Sequence, residues 1–354
     1  MMKIVIAVGC RPDCIKMMPL FKKLHNDKEF DAILLSSGQH YTMLKQVFDF
    51  FGAIPDYDLS IMQEKQDLFD ISVNLLQKIK QVLTEIKPDL VLVHGDTSST
   101  FVAAFLGFYM NIKVGHVEAG LRTYNIREPF PEEMNRVLTS PLASIHFSPS
   151  EKAKQNLLKE GIPEEIIYLT GNTAVDSTRL TYKEKYNFKE QILNTVDYEN
   201  KKVICMTAHR RENLGEPLQN ICKAVKRLVL DNEDIQVVYA VHKNPAVREV
   251  VYKELKGLDR VFLVEPLDVL DMHNLMKRSY MMLTDSGGLQ EEAPSFHLPT
   301  IVLRNVTERP EGLETGILKL AGTDEQVIYD MASEILHSKD VHDKMGYSVN
   351  PYGD

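Results

Sequence analysis

Glu118 and Glu132 both lie in the stretch 116–136, joined by a connection that contains Gly120, Pro129 and Pro131. Glu118 follows residues 112–117, which have the apolar character of a buried parallel strand, and Glu132 follows Pro131, which marks a helix start. Open α/β sheets bind ligands at the carboxyl ends of their strands, so both side chains could face one site and transfer protons there. The alternative is structural, with Glu118 capping a loop and Glu132 stabilised by the helix dipole.

Other residues capable of chemistry also follow predicted strands. Asp96 comes after residues 89–93 and is either the N-cap of the next helix or a site carboxylate. His209 comes after residues 203–207 and is followed by Arg210. A single histidine is more often structural, but an imidazole at a strand end beside arginine suits phosphate contact or acid catalysis.

The pair Gly287-Gly288, preceded by Ser286, lies between a predicted strand and a predicted helix. Without side chains at the two glycines, backbone N–H groups can approach a diphosphate. Glu292 follows about one turn later, where it could accept hydrogen bonds from ribose hydroxyls, and Arg309 supplies a cation. These residues favour a nucleotide site over the alternative, a plain tight turn followed by a solvated acidic helix.

The first predicted helix begins beside basic residues that could meet a phosphate. Arg11 lies in the loop after the strand predicted at 3–9, and Lys16 lies one turn into the helix. Both are near the amino end, where backbone N–H groups and the helix dipole favour anions. The stretch contains neither a GxGxxG nor a GxxxxGK[ST] motif, so nicotinamide binding and ATP use are not indicated.

Strands and helices alternate along the whole chain, which predicts an α/β fold with doubly wound parallel sheets. A change to polar sequence after Asn172 places a domain boundary near that residue, giving domains 1–172 and 173–354. Residues 145–148 are predicted as the last strand of the first domain. The simplest architecture is two Rossmann-like domains whose loops face each other across a cleft. The other strands are predicted at 31–38, 89–93, 112–117, 203–207, 235–241, 261–264 and 281–284.

The composition excludes several classes of function. The 354 residues carry a formal net charge of -9, which argues against nucleic acid or an anionic membrane as the main partner. The four cysteines make no disulfide framework in a chain this long, and no apolar run reaches membrane-spanning length, so we expect a cytoplasmic protein. His94, His116 and His242 lack HxH or HExxH spacing, so we expect no metal site.

Taken together, these motifs resemble the non-hydrolysing UDP-N-acetylglucosamine 2-epimerases over nearly the whole chain. The resemblance implies a fold like that of the GT-B glycosyltransferases. It also implies interconversion of UDP-GlcNAc and UDP-ManNAc for surface polysaccharide synthesis, with no external cofactor and in a homodimer. The stretches that carry the resemblance are Arg11-Pro12 with Lys16, 38–40, 94–97, 116–122, 129–136, 209–212, 285–292 and 307–311.

Roles for individual residues follow from their positions in the family's motifs. The resemblance implies catalytic roles for Asp96, Glu118, Glu132 and His209. It implies UDP binding by Arg11, Lys16, Arg136, His209, Met272, Ser286, Gly287, Gly288, Glu292 and Arg309. Some members bind a second UDP-GlcNAc as an activator, through residues that correspond to Gln39, Thr42, Lys65, Gln66, Arg210 and His242.

The sequence departs from the family pattern at several of these positions. Thr42 replaces a glutamine and Lys65 an arginine in the activator site, and lysine lacks the bidentate fork of arginine. Met272 replaces an aromatic residue near the uracil, where its sulfur could still pack on the ring. Relatives usually continue beyond the position of Asp354 into a helix that crosses back to the first domain, and its loss is expected to loosen closure.

Three other functions are compatible with parts of this pattern. The first is 2-epimerisation of a modified UDP-sugar, such as UDP-2,3-diacetamido-glucuronic acid. A GT-B glycosyltransferase would share the nucleotide site but needs an acceptor site and has no use for the Glu118 and Glu132 pair. A non-catalytic sensor of sugar nucleotides would not need the carboxylates, and all of them are present.

Overall fold

The chain divides into two compact units, Met1–Ser177 with Gly353 and Thr178–Tyr352. Helix α7 (Thr173–Thr181) runs from the first unit into the second. The computed structural model describes residues 1–38, 41–62, 66–127, 129–307 and 309–353, with the backbone alone for 41–43.

The central strands of the first unit are short apolar segments rich in β-branched residues, as is typical of strands buried on both faces. In the first of them, Val5 and Ile6 are fully buried and Ile4 nearly so. The strands are β1 (Met2–Val8), β2 (Phe30–Ser36), β3 (Tyr57–Asp58), β4 (Leu90–His94), β5 (Lys113–Val117), β6 (Ile145–Ser148) and β7 (Ile167–Leu169).

Amphipathic helices connect these strands and cover the sheet. In the helix that begins at Leu68, Asp67 and Asp70 form a capping box, and Leu75 and Ile79 lie on the buried face. The helices before α7 are α1 (Arg11–His25), α2 (Tyr41–Phe51), α3 (Leu68–Ile86), α4 (Ser98–Tyr109), α5 (Glu132–Thr139) and α6 (Glu151–Lys159).

The order of the strands places the loops after β1, β4 and β5 next to one another. All pairs in the first sheet are parallel, and the order is β3-β2-β1-β4-β5-β6-β7. The chain winds to one side from β1 and to the other side from β4, so a topological switch point lies between these two strands. His94 pairs with Val117 across β4 and β5, which places the loops that follow these strands side by side.

The second unit repeats this winding. Its parallel sheet has the order β10-β9-β8-β11-β12-β13, with the switch point between β8 (Lys202–Thr207) and β11 (Met281–Thr284). The other strands are β9 (Ile235–Ala240), β10 (Val261–Val264), β12 (Thr300–Val302) and β13 (Leu318–Leu320). The helices are α8 (Glu216–Asp231), α9 (Pro245–Leu255), α10 (Val269–Arg278), α11 (Gly287–Glu292), α12 (Pro310–Glu314), α13 (Glu325–His337) and α14 (Lys339–Gly346).

The predicted doubly wound sheets are confirmed in both units, but one predicted element is wrong. Residues 145–148 form β6, which is not the last strand of the first unit, because β7 pairs with it at the sheet edge. In β7, Tyr168 and Leu169 are exposed, so this three-residue strand lacks the apolar pattern of a buried one. In the part of the chain that the structure describes, no helix has both the length and the apolar character that crossing a membrane requires.

Candidate active site

Glu118 occupies the first position after β5 with its backbone in the left-handed region, at φ 62°. This conformation is uncommon outside glycine, and such residues concentrate at functional sites. The carboxylate is buried, and its Oε2 atom accepts a hydrogen bond from Asn172 Nδ2 at 2.8 Å. Lys16 Nζ contacts the same oxygen, and His94 Nε2 lies 3.7 Å from it. Side chains from three separate parts of the first unit therefore fix one carboxylate.

Lys16 carries its charge into the interior, since its side chain is only 7% exposed. Helix α1 places it opposite Glu118, whose side chain is 8% exposed. Two opposite charges in contact offset part of the cost of burying each, and removing one partner leaves the other uncompensated. In the structure the Lys16 ammonium group contacts Glu118, and its predicted contact with a phosphate stays a prediction.

Two histidines beside this ion pair are held neutral by burial. Burial lowers the pKa of His94 to about 4. Burial likewise lowers the pKa of His116 to about 3, and its Nε2 atom lies 2.8 Å from the carbonyl oxygen of Gly95. A carbonyl only accepts, so His116 donates from Nε2 and fixes the loop that follows β4. These imidazoles add no positive charge near Glu118 at neutral pH.

Asp96 follows β4 and pairs with Arg136. Arg136 Nη2 lies 2.6 Å from Asp96 Oδ2, and Arg136 Nε donates to the same oxygen at 2.9 Å. Of the two readings of Asp96, the N-cap is excluded, because Thr97 caps α4 by accepting from the backbone N–H of Thr100. The Asp96 carboxylate is thus available to the site, oriented by a guanidinium group.

Glu132 is the first residue of α5 and is partly exposed. Within the described ranges, no hydrogen bond or ion pair joins it to Glu118. Its neighbour Glu133 is fully buried and accepts hydrogen bonds from the backbone N–H groups of Thr123 and Tyr124, both at 2.9 Å. The sequence analysis missed this role of Glu133, which fixes the loop between β5 and α5.

A buried carboxylate also shapes the loop after β1, where Arg11 begins helix α1. Asp13 accepts hydrogen bonds from the backbone N–H groups of Gly9 and Cys10, both at 2.8 Å. Burial raises the pKa of Asp13 to about 6, against the lowering effect of these hydrogen bonds. A Cβ atom on Gly9 would lie 2.6 Å from Ser99 Oγ, so this position has room only for glycine. The sequence analysis did not assign Asp13 this role.

In the second unit, His209 follows β8 and lies beside Asp285, the residue after β11. The backbone N–H of His209 donates to Asp285 Oδ2 at 2.7 Å, and His209 Nδ1 lies 3.6 Å from Asp285 Oδ1. Burial lowers the pKa of His209, while the Asp285 charge acts in the opposite direction. The ring stacks on His242, with centroids 5.1 Å apart. His209 is oriented by two neighbours and keeps a side chain that is 36% exposed.

Asp285 organises the whole loop after β8, a role the sequence analysis missed. Its Oδ2 atom also accepts from the backbone N–H of Arg210 at 2.8 Å and from Asn213 Nδ2 at 2.9 Å. The carboxylate is fully buried, so these donors compensate its charge. Two residues predicted for a second substrate site adjoin His209: Arg210 follows it in the chain, and the ring of His242 stacks on its ring.

The rest of the predicted activator site is only partly described. Gln66 Nε2 donates to the carbonyl oxygen of Ile61 at 3.0 Å. Gln39, Lys65 and the side chain of Thr42 lie outside the described residues. The activator site therefore stays a prediction.

The glycine pair after β11 begins helix α11 beside a guanidinium group. A Cβ atom on Gly287 would lie 2.6 Å from Arg309 Nη1, whereas one on Gly288 would meet nothing within 4 Å. Arg309 Nε donates to Glu291 Oε1 at 2.7 Å, and both side chains are buried. Ser286 precedes the helix, and its backbone N–H donates to Thr284 Oγ1 at 3.0 Å. Gly287 thus allows Arg309 to approach the backbone of the predicted diphosphate loop.

Glu292 ends α11, and its Oε2 atom lies 3.0 Å from Nε2 of His273, a buried residue of α10. The sequence analysis did not single out His273. Met272 precedes it and is buried, with its sulfur 4.0 Å from Cys205 Sγ. The structure therefore connects the predicted ribose carboxylate to a histidine 19 positions away in the chain.

The described residues of each unit offer groups suited to proton transfer or to phosphate binding. No group of three or more histidine, cysteine, aspartate or glutamate side chains within the described ranges has the geometry to hold a metal ion. The first unit supplies carboxylates with defined partners, and the second supplies an oriented imidazole, a glycine loop and guanidinium groups. The carboxylates of the first unit can exchange a proton, and the groups of the second unit can stabilise a phosphate leaving group.

Comparison with known proteins confirms the family that the motifs resemble. A family model described as UDP-N-acetylglucosamine 2-epimerase matches residues 22–354. The UDP-N-acetylglucosamine 2-epimerase of Bacillus subtilis is 50% identical over 353 residues, which cover 100% of this chain and 92% of that protein.

Two solved structures are similar over the same length. UDP-GlcNAc 2-epimerase from Neisseria meningitidis, solved with bound UDP-GlcNAc, has a TM-score of 0.92 at 42% identity, covering 99% of this chain and 96% of that one. The S. aureus protein MnaA, solved with UDP, has a TM-score of 0.92 at 46% identity, covering 100% of this chain and 93% of that one. The chain belongs to the UDP-N-acetylglucosamine 2-epimerase family of isomerases.

Proposed function

We propose that this protein interconverts UDP-GlcNAc and UDP-ManNAc by inverting the configuration at C2 of the sugar. The observation that carries the proposal is the Glu118 carboxylate, which is held at φ 62° after β5 by Lys16 and Asn172. A carboxylate fixed in this way suits a proton transfer at one defined atom. Two related proteins support this choice of substrate, since the structure of one contains UDP-GlcNAc and that of the other contains UDP.

The two domains divide the work in this proposal. The domain of residues 1–172 acts on the sugar, because it carries Asp96, Glu118 and Glu132. The domain of residues 173–354 binds UDP through Ser286, Gly287 and the other residues of that domain that the family's motifs assign to the nucleotide. Arg309 supports this assignment, since its guanidinium group lies against the glycine loop.

The chemistry follows from the weak acidity of the C2 proton. Simple abstraction is a poor route, so UDP leaves from C1 while the C2 proton is removed from the opposite face, giving 2-acetamidoglucal and UDP. UDP then adds back to C1 as a proton is delivered to the other face of C2. Every bond broken in the first half is formed again in the second, so the cycle needs no oxidant, reductant or external cofactor.

The residues take different parts in this cycle. Glu118 and Glu132 exchange the C2 proton, and Asp96 assists or orients them. His209, with Arg11, stabilises the departing diphosphate. The buried Asp285 supports this role of His209, since it fixes the backbone of the residue and adjoins its ring. The remaining residues assigned to UDP keep it bound, so that the intermediate is not lost between the two halves.

The same proposal extends to the setting of the enzyme. UDP-ManNAc formed in this way would feed the synthesis of a surface polysaccharide, and the protein would work in the cytoplasm as a homodimer. Resemblance to the family supports these three points.

The proposal is tested by incubating the purified protein with UDP-GlcNAc and separating the products by anion-exchange chromatography. UDP-ManNAc is expected from the wild-type protein, whereas Glu118→Gln should lower turnover by about 10²- to 10⁴-fold, the usual contribution of a general acid or base, while UDP still binds. Glu164→Gln is the matched control, because that side chain is 68% exposed. Near-normal turnover of Glu118→Gln would overturn the assigned role.

A further inference from the structure

We propose that His273 is a positioning residue for ribose recognition, which aims the Glu292 carboxylate at the ribose hydroxyls of UDP. The inference rests on the proposed function, which assigns Glu292 to the nucleotide. It extends that function by one residue that touches no substrate and acts through its neighbour. Its three residues, Thr181, His273 and Glu292, all lie within the second unit.

His273 lies between two polar side chains and beside an aromatic ring. Its side chain is only 1% exposed, and its ring lies 5.6 Å from that of Phe296. Nε2 lies 3.0 Å from Glu292 Oε2, and Nδ1 lies 2.5 Å from Thr181 Oγ1. Thr181 is fully buried near the end of α7, so α7, α10 and α11 each contribute one member of this chain of hydrogen bonds.

The protons available on each group determine which atom donates in the hydrogen bonds of His273. An ionised carboxylate only accepts, so the bond to Glu292 requires a proton on Nε2 of His273. In the neutral ring Nδ1 then accepts from the Thr181 hydroxyl. If that hydroxyl donates instead to the Thr178 carbonyl oxygen, 3.1 Å away, the ring carries both protons. His273 donates to Glu292 in either case.

The consequence is a carboxylate with one side anchored and one side accessible. Within the described part of the chain, His273 provides the hydrogen bond that the Glu292 side chain accepts, and that side chain remains 13% exposed. A ribose diol offers two donors and needs acceptors held at a defined angle. Because a buried donor already fixes the Glu292 rotamer, this side chain loses less conformational freedom when UDP binds. The contact to the ribose hydroxyls is therefore strengthened, whereas contacts to the rest of UDP are not.

The test compares two ligands that differ only in the ribose hydroxyls. Calorimetry measures the Kd of UDP and of 2′,3′-dideoxy-UDP for the wild-type protein, His273→Asn and His273→Gln. The Gln amide reaches the position of Nε2 and still donates to Glu292, whereas the Asn amide reaches only that of Nδ1. We expect His273→Asn to weaken UDP about tenfold, as for the loss of a hydrogen bond to a charged group, and to leave dideoxy-UDP within about twofold. His273→Gln should stay within about threefold of wild type for UDP.

Each alternative result has a distinct meaning. Equal losses of both ligands in His273→Asn would show a general structural role and overturn the inference. Equal binding of the two ligands by the wild-type protein would show that Glu292 does not bind the ribose hydroxyls. That result would overturn the inference but not the proposal that the protein binds UDP. A wild-type protein that does not bind UDP would overturn the proposed function as well.

A second pair of variants covers the case in which His273→Asn does not fold. Thr181→Val removes the hydroxyl at nearly constant volume, and Thr181→Ser keeps it. Thr181→Val should weaken UDP about threefold and Thr181→Ser should not, with dideoxy-UDP again unchanged. Loss of both ligands in Thr181→Val would contradict the positioning role.

Discussion

Asn172 donates a hydrogen bond from Nδ2 to Glu118 Oε2 at 2.8 Å, although 54 positions separate the two residues in the chain. Asn172 Oδ1 meanwhile accepts from the backbone N–H of Ala174, at the start of α7. One amide therefore links the candidate proton carrier to the helix that leads into the second unit. Lys16 contacts the same carboxylate oxygen, so the orientation of Glu118 depends on residues far from it in sequence.

Replacing Asn172 by Asp should impair catalysis more than binding. The aspartate keeps the acceptor for Ala174 but replaces the donor with a second negative charge beside Glu118. We expect kcat to fall about 10²-fold, with KM changed less than about threefold, because the displaced carboxylate acts mainly in the chemical step. Steady-state kinetics checks this. Asn172→Ala, which removes donor and acceptor without adding charge, should lose about tenfold; wild-type kcat in both variants would contradict the prediction.

The buried pair of Lys16 and Glu118 should show strong coupling in stability. Lys16→Met leaves the Glu118 charge without its cation, and we expect a loss of about 3 kcal/mol in the free energy of unfolding. Adding Glu118→Gln removes the uncompensated charge. The loss in the free energy of unfolding of the double variant should therefore be smaller than the sum of the two single losses by about 1–3 kcal/mol. Urea unfolding of the four proteins measures this coupling. Strictly additive losses would show that the two charges do not interact in the folded protein.

Two glycines with similar backbone angles should respond differently to alanine. Gly120 has φ +93°, and a Cβ atom there would lie 2.2 Å from the carbonyl oxygen of Ala153. Gly161 has φ +82° with nothing within 4 Å of such an atom. Gly161→Ala should cost about 1 kcal/mol from backbone strain alone, and Gly120→Ala at least about 3 kcal/mol because the backbone must also move. Thermal unfolding compares them, and equal shifts of Tm would contradict the close packing at Gly120.

The stability of the first unit should fall in mild acid. Burial lowers the pKa of His94 to about 4, of His116 to about 3 and of His146 to about 4. The unfolded chain takes up these protons near pH 6.5 and the folded chain only near pH 3–4, so their contribution is complete above pH 6.5 and is lost as pH falls. Asp13 acts in the opposite direction, because the folded protein protonates it near pH 6 and gains stability below that.

The three histidines outweigh Asp13, so the free energy of unfolding should fall on acidification. Each proton contributes a slope of about 1.4 kcal/mol per pH unit, so the net slope should approach about 3 kcal/mol per unit between pH 6 and 4.5. Urea unfolding across this range measures it. His146→Leu should reduce the slope by about one proton, since the ring nitrogens of His146 have no hydrogen-bond partner in the described part of the chain. An unchanged slope in that variant would contradict a neutral buried His146.

The sequence predicted the parts of the fold that depend on local pattern. Buried parallel strands are continuous apolar segments, so the central strands of both sheets, although not β3 and β13, could be placed together with the loops that follow them. The short edge strand β7 could not, because its exposed Tyr168 and Leu169 lack that pattern. The role of Asp96 was also left open, since the sequence allowed either the N-cap of α4 or a site carboxylate. Only the structure shows that Thr97 caps the helix.

The residues that orient the site were missed for a physical reason. Asn172, Asp285 and His273 act through contacts with residues 54, 76 and 19 positions away, respectively. No local spacing or periodicity reports such contacts, since they depend on which strand ends meet. Motif resemblance identified the groups proposed to touch substrate, whereas packing determines the groups that hold them.

The central claim, proton exchange at C2 of a UDP-sugar, is tested most directly by proton NMR of the purified protein with UDP-GlcNAc in deuterated water. We expect UDP-ManNAc carrying deuterium at C2, exchange into the C2 position of the remaining UDP-GlcNAc, and neither change with Glu118→Gln. UDP-ManNAc that retains the original C2 proton would contradict elimination and re-addition. Bound UDP-GlcNAc with no exchange at all would contradict the assigned substrate.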